Sequence, residues 1–134
     1  MAFHDRNFSD AATVARGRCA YFAGQSAEAQ VAAQYVARGY ERIAERWRAG
    51  RGEIDLVLRS PDGVVVFVEV KKSRTFDQAL SHLSAAQARR IFATAEQFLG
   101  TLPDGIFTPS RVDVALVDAV GKIKVCENFF AGGL

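Results

Sequence analysis

Only two cysteines, Cys19 and Cys126, and two histidines, His4 and His82, occur in the 134 residues, with no CxxC pair among them. A structural zinc site needs four closely spaced thiolate or imidazole ligands, so this chemistry is not expected. The cysteines read as ordinary thiols of a reducing compartment. No apolar run approaches the roughly 20 residues needed to cross a bilayer. The first residues, "MAFHDRNFSD", lack the basic, apolar, small-residue order of a signal peptide, and the expected location is the cytoplasm. Strong charge of one sign is missing too: the net charge is +2 and the pI near 8.7. Bulk charge therefore argues for no partner, and any polyanion surface must come from local clusters of Arg and Lys. No repeats, linkers or low-complexity tracts occur.

What is present is the composition of one globular domain, 49% hydrophobic and 24% charged, at the length of one core. From about Asp10 to Arg38 the chain is alanine-rich with apolar residues at helical spacing. A break near Gly24 divides a short first helix from a second beginning near Ser26 and stopping at Gly39. "YERIAERWR", Tyr40 to Arg48, is read as a strand. Glu53 to Arg59 and Val64 to Lys71 are clearer strands, joined by "SPDGV", the sequence of a type I turn closed by a left-handed glycine. "LSAAQARRIFATAEQFLG" predicts a helix capped by Ser84, with Gln87 completing a capping box, an apolar face of Ala88, Ile91, Phe92, Ala95, Phe98 and Leu99, and Gly100 as the stop. "RVDVALVDAVGKIKVCE" predicts two strands around Ala119 to Gly121.

The hairpin carries the chemistry. "VVVFVEVKK" has the density of a buried strand, yet includes Glu69 and Lys71, and buried charges are costly unless compensated. With Pro61, Asp62 and Gly63 as the loop, Ser60 pairs with Val64, Asp55 lies opposite Glu69, and Glu53 lies opposite Lys71. All four then share one face, and a slip of one residue would scatter them. Opposed residues have Cβ atoms roughly 5 Å apart, and like charges so placed destabilise a sheet. Plain surface ion pairs would account for Glu53 and Lys71 but give no reason for Asp55 against Glu69. A divalent cation between the two acids does. Mg²⁺ or Mn²⁺ takes carboxylate oxygens, with the Val70 backbone carbonyl as a further ligand. The chemistry this suggests is phosphodiester hydrolysis, with Lys71 orienting water or stabilising developing charge.

"GEIDLVLR" followed by "VVFVEVKKSR", preceded by "GY" and "ERW" and followed by a Gln in the next helix, resembles the YraN-like family of bacterial proteins. That family falls within the PD-(D/E)XK, or restriction-endonuclease-like, nuclease superfamily. The resemblance spans roughly Gly24 to Phe130, which makes 1–134 a single nuclease-like domain with residues 1–23 as a helical extension. It implies an α/β fold, a mixed sheet flanked by helices with an α-β-β-β-α-β core. It also implies that Asp55 and Glu69 bind metal, that Lys71 is the catalytic lysine, and that Glu28 is the acidic residue of the first core helix. Glu28 by itself reads equally as an acid favoured by a helix N-terminus, and the family's adjacent Gly-Glu is replaced here by "GQSAEAQ". Glu53 supports the site or pairs with Lys71, and Gln87 stands where the superfamily sometimes places a polar residue.

Arg46, Arg48, Arg51, Lys72, Arg74, Arg89 and Arg90 are candidate phosphate contacts, with solvated surface charge as the default for each. Trp47 reads as a core anchor rather than a stacking platform. Packing of Phe129 or Phe130 onto the core is the favoured reading of "ENFF", although exposed Phe near a terminus also suits a homodimer. The expected function is metal-dependent endonuclease activity on branched or structured DNA. The alternative is a non-catalytic nucleic-acid-binding or protein-interaction module that keeps the fold.

Overall fold

The computed structural model describes residues 26–131; the expected N-terminal helix, with His4 and Cys19, lies outside them. Helix α1, Ala27–Ala37, starts where Ser26 Oγ accepts the Ala29 N–H at 3.1 Å, an N-cap that satisfies one of the orphan donors of the first turn. It ends in Gly39 at φ +92°. Strand β1, Glu41–Ala49, leads into β2, Gly52–Arg59, and β3, Val65–Lys72. Two short elements were not anticipated, helix α2 at Phe76–Ser81 and a 3₁₀ turn at Gly105–Phe107. Between them runs α3, Ala85–Leu99, whose buried face is Ala88, Ile91, Thr94, Ala95, Phe98 and Leu99. Strands β4, Ser110–Val117, and β5, Ile123–Cys126, complete the order.

The five strands form one sheet in sequence order, with β3 and β4 parallel and every other neighbouring pair antiparallel. This is a mixed α/β fold with helices on both faces. On one face Val31, Ala32 and Tyr35 of α1 cover Leu56, Leu58, Val66, Val68, Ala115 and Val117. On the other, α3 covers Ile54, Val57, Val65, Phe67 and Val112, while Ala79 of α2 sits on Val114 and Leu116. Trp47 packs edge-on against Phe98 as a core anchor, and Phe130 packs against Phe92, leaving Phe129 partly exposed.

The turn between β2 and β3 has the expected chemistry. Gly63 takes φ +90°, its N–H bonds Ser60 O at 2.9 Å, and Ser60 N–H bonds Val64 O at 2.8 Å. That turn sets the register of Arg59 on Val65 and Leu56 on Val68. At the opposite end of the hairpin Gly52 lies so close to α3 that an added Cβ would stand 1.8 Å from Thr94 Oγ1. Helix α3 thereby presses on the start of β2, fixing where its first turns stand relative to the sheet.

One fully buried charge belongs to the scaffold. Asp113 accepts Tyr35 Oη at 2.8 Å, Arg111 Nε at 3.0 Å and the Asn128 N–H at 2.9 Å. These bonds supply the compensation a buried carboxylate requires and tie α1 and the C-terminal segment to β4. Burial, followed by the adjacent Asp113 charge, pushes the Tyr35 phenol well above its ordinary range.

Candidate functional site

Pairing of β2 with β3 stops at Leu56 and Val68, although β2 stays paired with β1 back to Gly52 and β3 with β4 on to Lys72. The sheet therefore opens between its second and third strands. Even-numbered residues of β3 direct their backbone groups towards β2, as Ser60 N–H to Val64 O shows, whereas odd-numbered ones bond β4, as Ser73 N–H to Val117 O shows. In an unbroken ladder the Val70 N–H would find the Ile54 carbonyl. It finds the Asp55 carboxylate instead, at 2.7 Å. The Val70 carbonyl faces the same opening.

This cleft of about 300 Å³ is lined by Glu28 from α1, Arg51, Gly52, Glu53 and Asp55 from the β1–β2 connection and β2, Glu69 to Lys71 from β3, and Gln87 and Arg90 from α3. The register carried beyond Leu56 places Asp55 against Glu69, close enough for the Asp55 charge to act on the Glu69 carboxyl group. Lys71 Nζ lies 3.1 Å from Glu69 Oε2, and Gln87 Nε2 donates to the same oxygen at 3.1 Å. Asp55 and Glu69 are both buried.

The electrostatics are those of a crowded acid pair. Burial, then repulsion from Asp55, raises Glu69 to about 7 against the partial relief of Lys71. Burial also raises Asp55, and the Val70 N–H offsets part of that before the nearby Glu28 and Glu53 charges add to it. Two carboxyl groups held this way keep a proton between them at mildly acidic pH. Above that range the extra negative charge favours a cation.

Several expected partners change. Glu53 does not pair with Lys71; it accepts Arg48 Nε at 2.6 Å, because the opened ladder carries it towards β1. The strict alternation that would put Glu53, Asp55, Glu69 and Lys71 on one face also ends here, since Ile54 joins Val57 in the core beneath α3. Gln87 donates its backbone N–H to Ser84 Oγ at 3.0 Å as in a capping box, but its side chain turns to Glu69 rather than back to the cap. Glu28 lines the cleft with Arg46 3.8 Å from it. Asp55 and Glu69 remain a pair: among the described residues no group of three or more His, Cys, Asp or Glu could hold a metal ion.

The seven expected phosphate contacts divide. Arg46 and Arg48 are ion-paired, Arg51 and Arg90 line the cleft, and Lys72, Arg74 and Arg89 are exposed outside it. A second, apolar cavity of about 200 Å³ lies between Phe67, Phe92, Leu99, Val112 and Phe130. It holds no comparable gathering of ionisable groups. No helix among the described residues is long and apolar enough to cross a membrane.

The family described as "Uncharacterised protein family UPF0102" matches residues 27–117. Relatives include UPF0102 proteins of Roseobacter denitrificans, 53% identical over 91% of this chain and 94% of its own, and Ruegeria pomeroyi, 48% identical over 91% and 98%. A third, from Cereibacter sphaeroides, is 47% identical over 86% of this chain and 97% of its own. With the matched segment running from α1 through β4 and so taking in every residue of the cleft, the chain belongs to the UPF0102, or YraN-like, family.

Proposed function

We propose that this protein is a metal-dependent endonuclease of the restriction-endonuclease-like fold, hydrolysing phosphodiester bonds in branched or otherwise structured DNA. One observation carries the reading: the sheet opens at Asp55 and Glu69, so that two buried carboxylates, a lysine and the Val70 strand segment converge on one cleft. Selection for stability alone does not account for such a pair, because burial raises the pKa of both acids and the Asp55 charge raises that of Glu69 further.

The donor set fits Mg²⁺ or Mn²⁺. Carboxylate oxygens of Asp55 and Glu69, with the Val70 carbonyl, are the hard oxygen ligands such ions take, leaving positions for water and a phosphate oxygen. Bound there, the ion would supply charge to the phosphoryl oxygens and acidity to a coordinated water. Gln87 holds Glu69 in orientation through its amide. Lys71 sets a positive charge beside Glu69 and can steady negative charge that develops at the reacting phosphate. Arg51 and Arg90 line the cleft without a carboxylate partner among the described residues, which leaves their guanidinium groups for the flanking backbone phosphates.

A second reading, a non-catalytic nucleic-acid-binding or protein-interaction module, draws on the pair of acids standing where a triad would hold a metal more firmly. The two are separated by incubating the protein with Mg²⁺ or Mn²⁺ and duplex, single-stranded, flap and four-way junction DNA, alongside Glu69→Ala and Lys71→Ala. The endonuclease reading expects cleavage by the parent that both substitutions abolish. Cleavage surviving both substitutions, or absent from every substrate, rejects it.

A further inference from the structure

Cations without an acidic partner are not scattered over the surface. Among the described residues seven Lys and Arg side chains have no carboxylate within ion-pair distance, and six of them flank the opened end of the sheet. Arg51, Arg89 and Arg90 stand on the β1–β2 and α3 side. Lys72, Arg74 and Lys122 stand on the other side, all exposed.

The second group is drawn together by the backbone. Lys72 is paired with Val117 in the parallel ladder, Arg74 O accepts the Ala119 N–H at 3.4 Å, and Lys122 O accepts the Asp118 N–H at 3.0 Å. All three therefore surround residues 117–119, where β4 turns into β5. Asp118 is the acid at their centre, but its Oδ1 accepts the N–H groups of Val120 and Lys122 at 3.0 and 2.9 Å and forms no ion pair. Asp77, exposed in the first turn of α2, is the other acid nearby in the chain. Three mutually repelling cations around one turn cost stability and gain from an anion laid across them.

We propose that Lys72, Arg74 and Lys122 form a second phosphate-binding cluster, which holds the nucleic-acid backbone after it leaves the Asp55–Glu69 cleft. The inference rests on the phosphodiester reading of that cleft. From the β2–β3 opening to the β4–β5 turn are two strand steps of about 4.8 Å, or roughly 10 Å, the axial length of about three duplex steps of 3.4 Å, and Lys72, on β3 itself, stands at the near edge of the cluster. The substrate accordingly presents a duplex arm on the β5 side of the cleft, with phosphates held up to about three steps from the reacting one.

The test is duplex binding as a function of salt, measured in EDTA with a 20-base-pair DNA by the wild-type protein and the K72Q/R74Q/K122Q variant. Each phosphate contact contributes about 0.9 to the slope of log affinity on log salt, so the triple variant is expected to lose about 2 to 3 from it. A circular dichroism melt establishes that the variant is folded. An unchanged slope overturns the second cluster. Cleavage by wild-type protein in Mn²⁺ is scored separately, on this duplex and on single-stranded, flap and four-way junction DNA. Cleavage of any of them with an unchanged slope rejects the cluster and keeps the hydrolytic reading; a reduced slope with no cleavage of any substrate rejects hydrolysis and keeps the cluster as a nucleic-acid surface.

Discussion

Replacing Glu69 by Gln should make the metal-free protein more stable at neutral pH, although it removes the partner of Lys71. Folded Glu69 titrates near about 7 rather than at 4.5, because burial and Asp55 outweigh Lys71. An acid whose pKa rises on folding binds more protons folded than unfolded, so its contribution is fully present below 4.5 and is lost as pH rises through the folded value. At about 1.36 kcal/mol per pH unit, the interval from 4.5 to about 7 amounts to about 3 kcal/mol. Glu69→Gln should therefore exceed wild type by up to about 3 kcal/mol at pH 8 in EDTA and match it near pH 4.5. Urea unfolding followed by the fluorescence of Trp47, the single tryptophan, reads this directly. A residual slope of the same sign remains from Asp55, whose pKa is also raised. Added Mg²⁺ at a hundredfold its dissociation constant should restore about 2.7 kcal/mol to wild type and nothing to the variant. A variant less stable than wild type at pH 8 without metal would refute the account of a frustrated acid pair.

Other predictions concern the frame around the cleft. Gly52→Ala should cost about 1 to 3 kcal/mol by overpacking against Thr94, with partial recovery in the Gly52→Ala/Thr94→Ala double variant, measured by thermal melts. Tyr35→Phe leaves Asp113 with one donor fewer and should cost about 1 to 3 kcal/mol in urea unfolding. Glu53→Gln, which breaks a partly exposed pair with Arg48 rather than one with Lys71, should cost less than about 1 kcal/mol by the same measurement.

Much of this geometry was legible in the sequence because the β2–β3 turn is short. Asp62 and Gly63 dictate a loop of defined length, the loop dictates the register, and the register brings Asp55 to Glu69. What lay beyond that logic was the point at which the ladder ends. Counting pairs from the turn assumes that the strands stay together, so Glu53 was assigned to Lys71, whereas the opened sheet gives it Arg48. Gln87 was obscured for a related reason: its spacing from Ser84 satisfies a capping box, and only the tertiary approach of α3 to β3 offers its amide a buried carboxylate instead. Helix α2 has six residues, too few for helical periodicity to show. Lys122 escaped notice because it lies about 50 positions along the chain from Lys72 and is brought close only by the parallel pairing of β3 with β4.

The central claim is that Asp55 and Glu69, with the Val70 carbonyl, take a divalent cation. Crystals grown with Mn²⁺ and measured for anomalous scattering at the manganese edge test it most directly. The account predicts one peak in the cleft between the two carboxylates, absent from crystals of Glu69→Gln. Density confined to other sites, or a peak that persists unchanged in the variant, would contradict it.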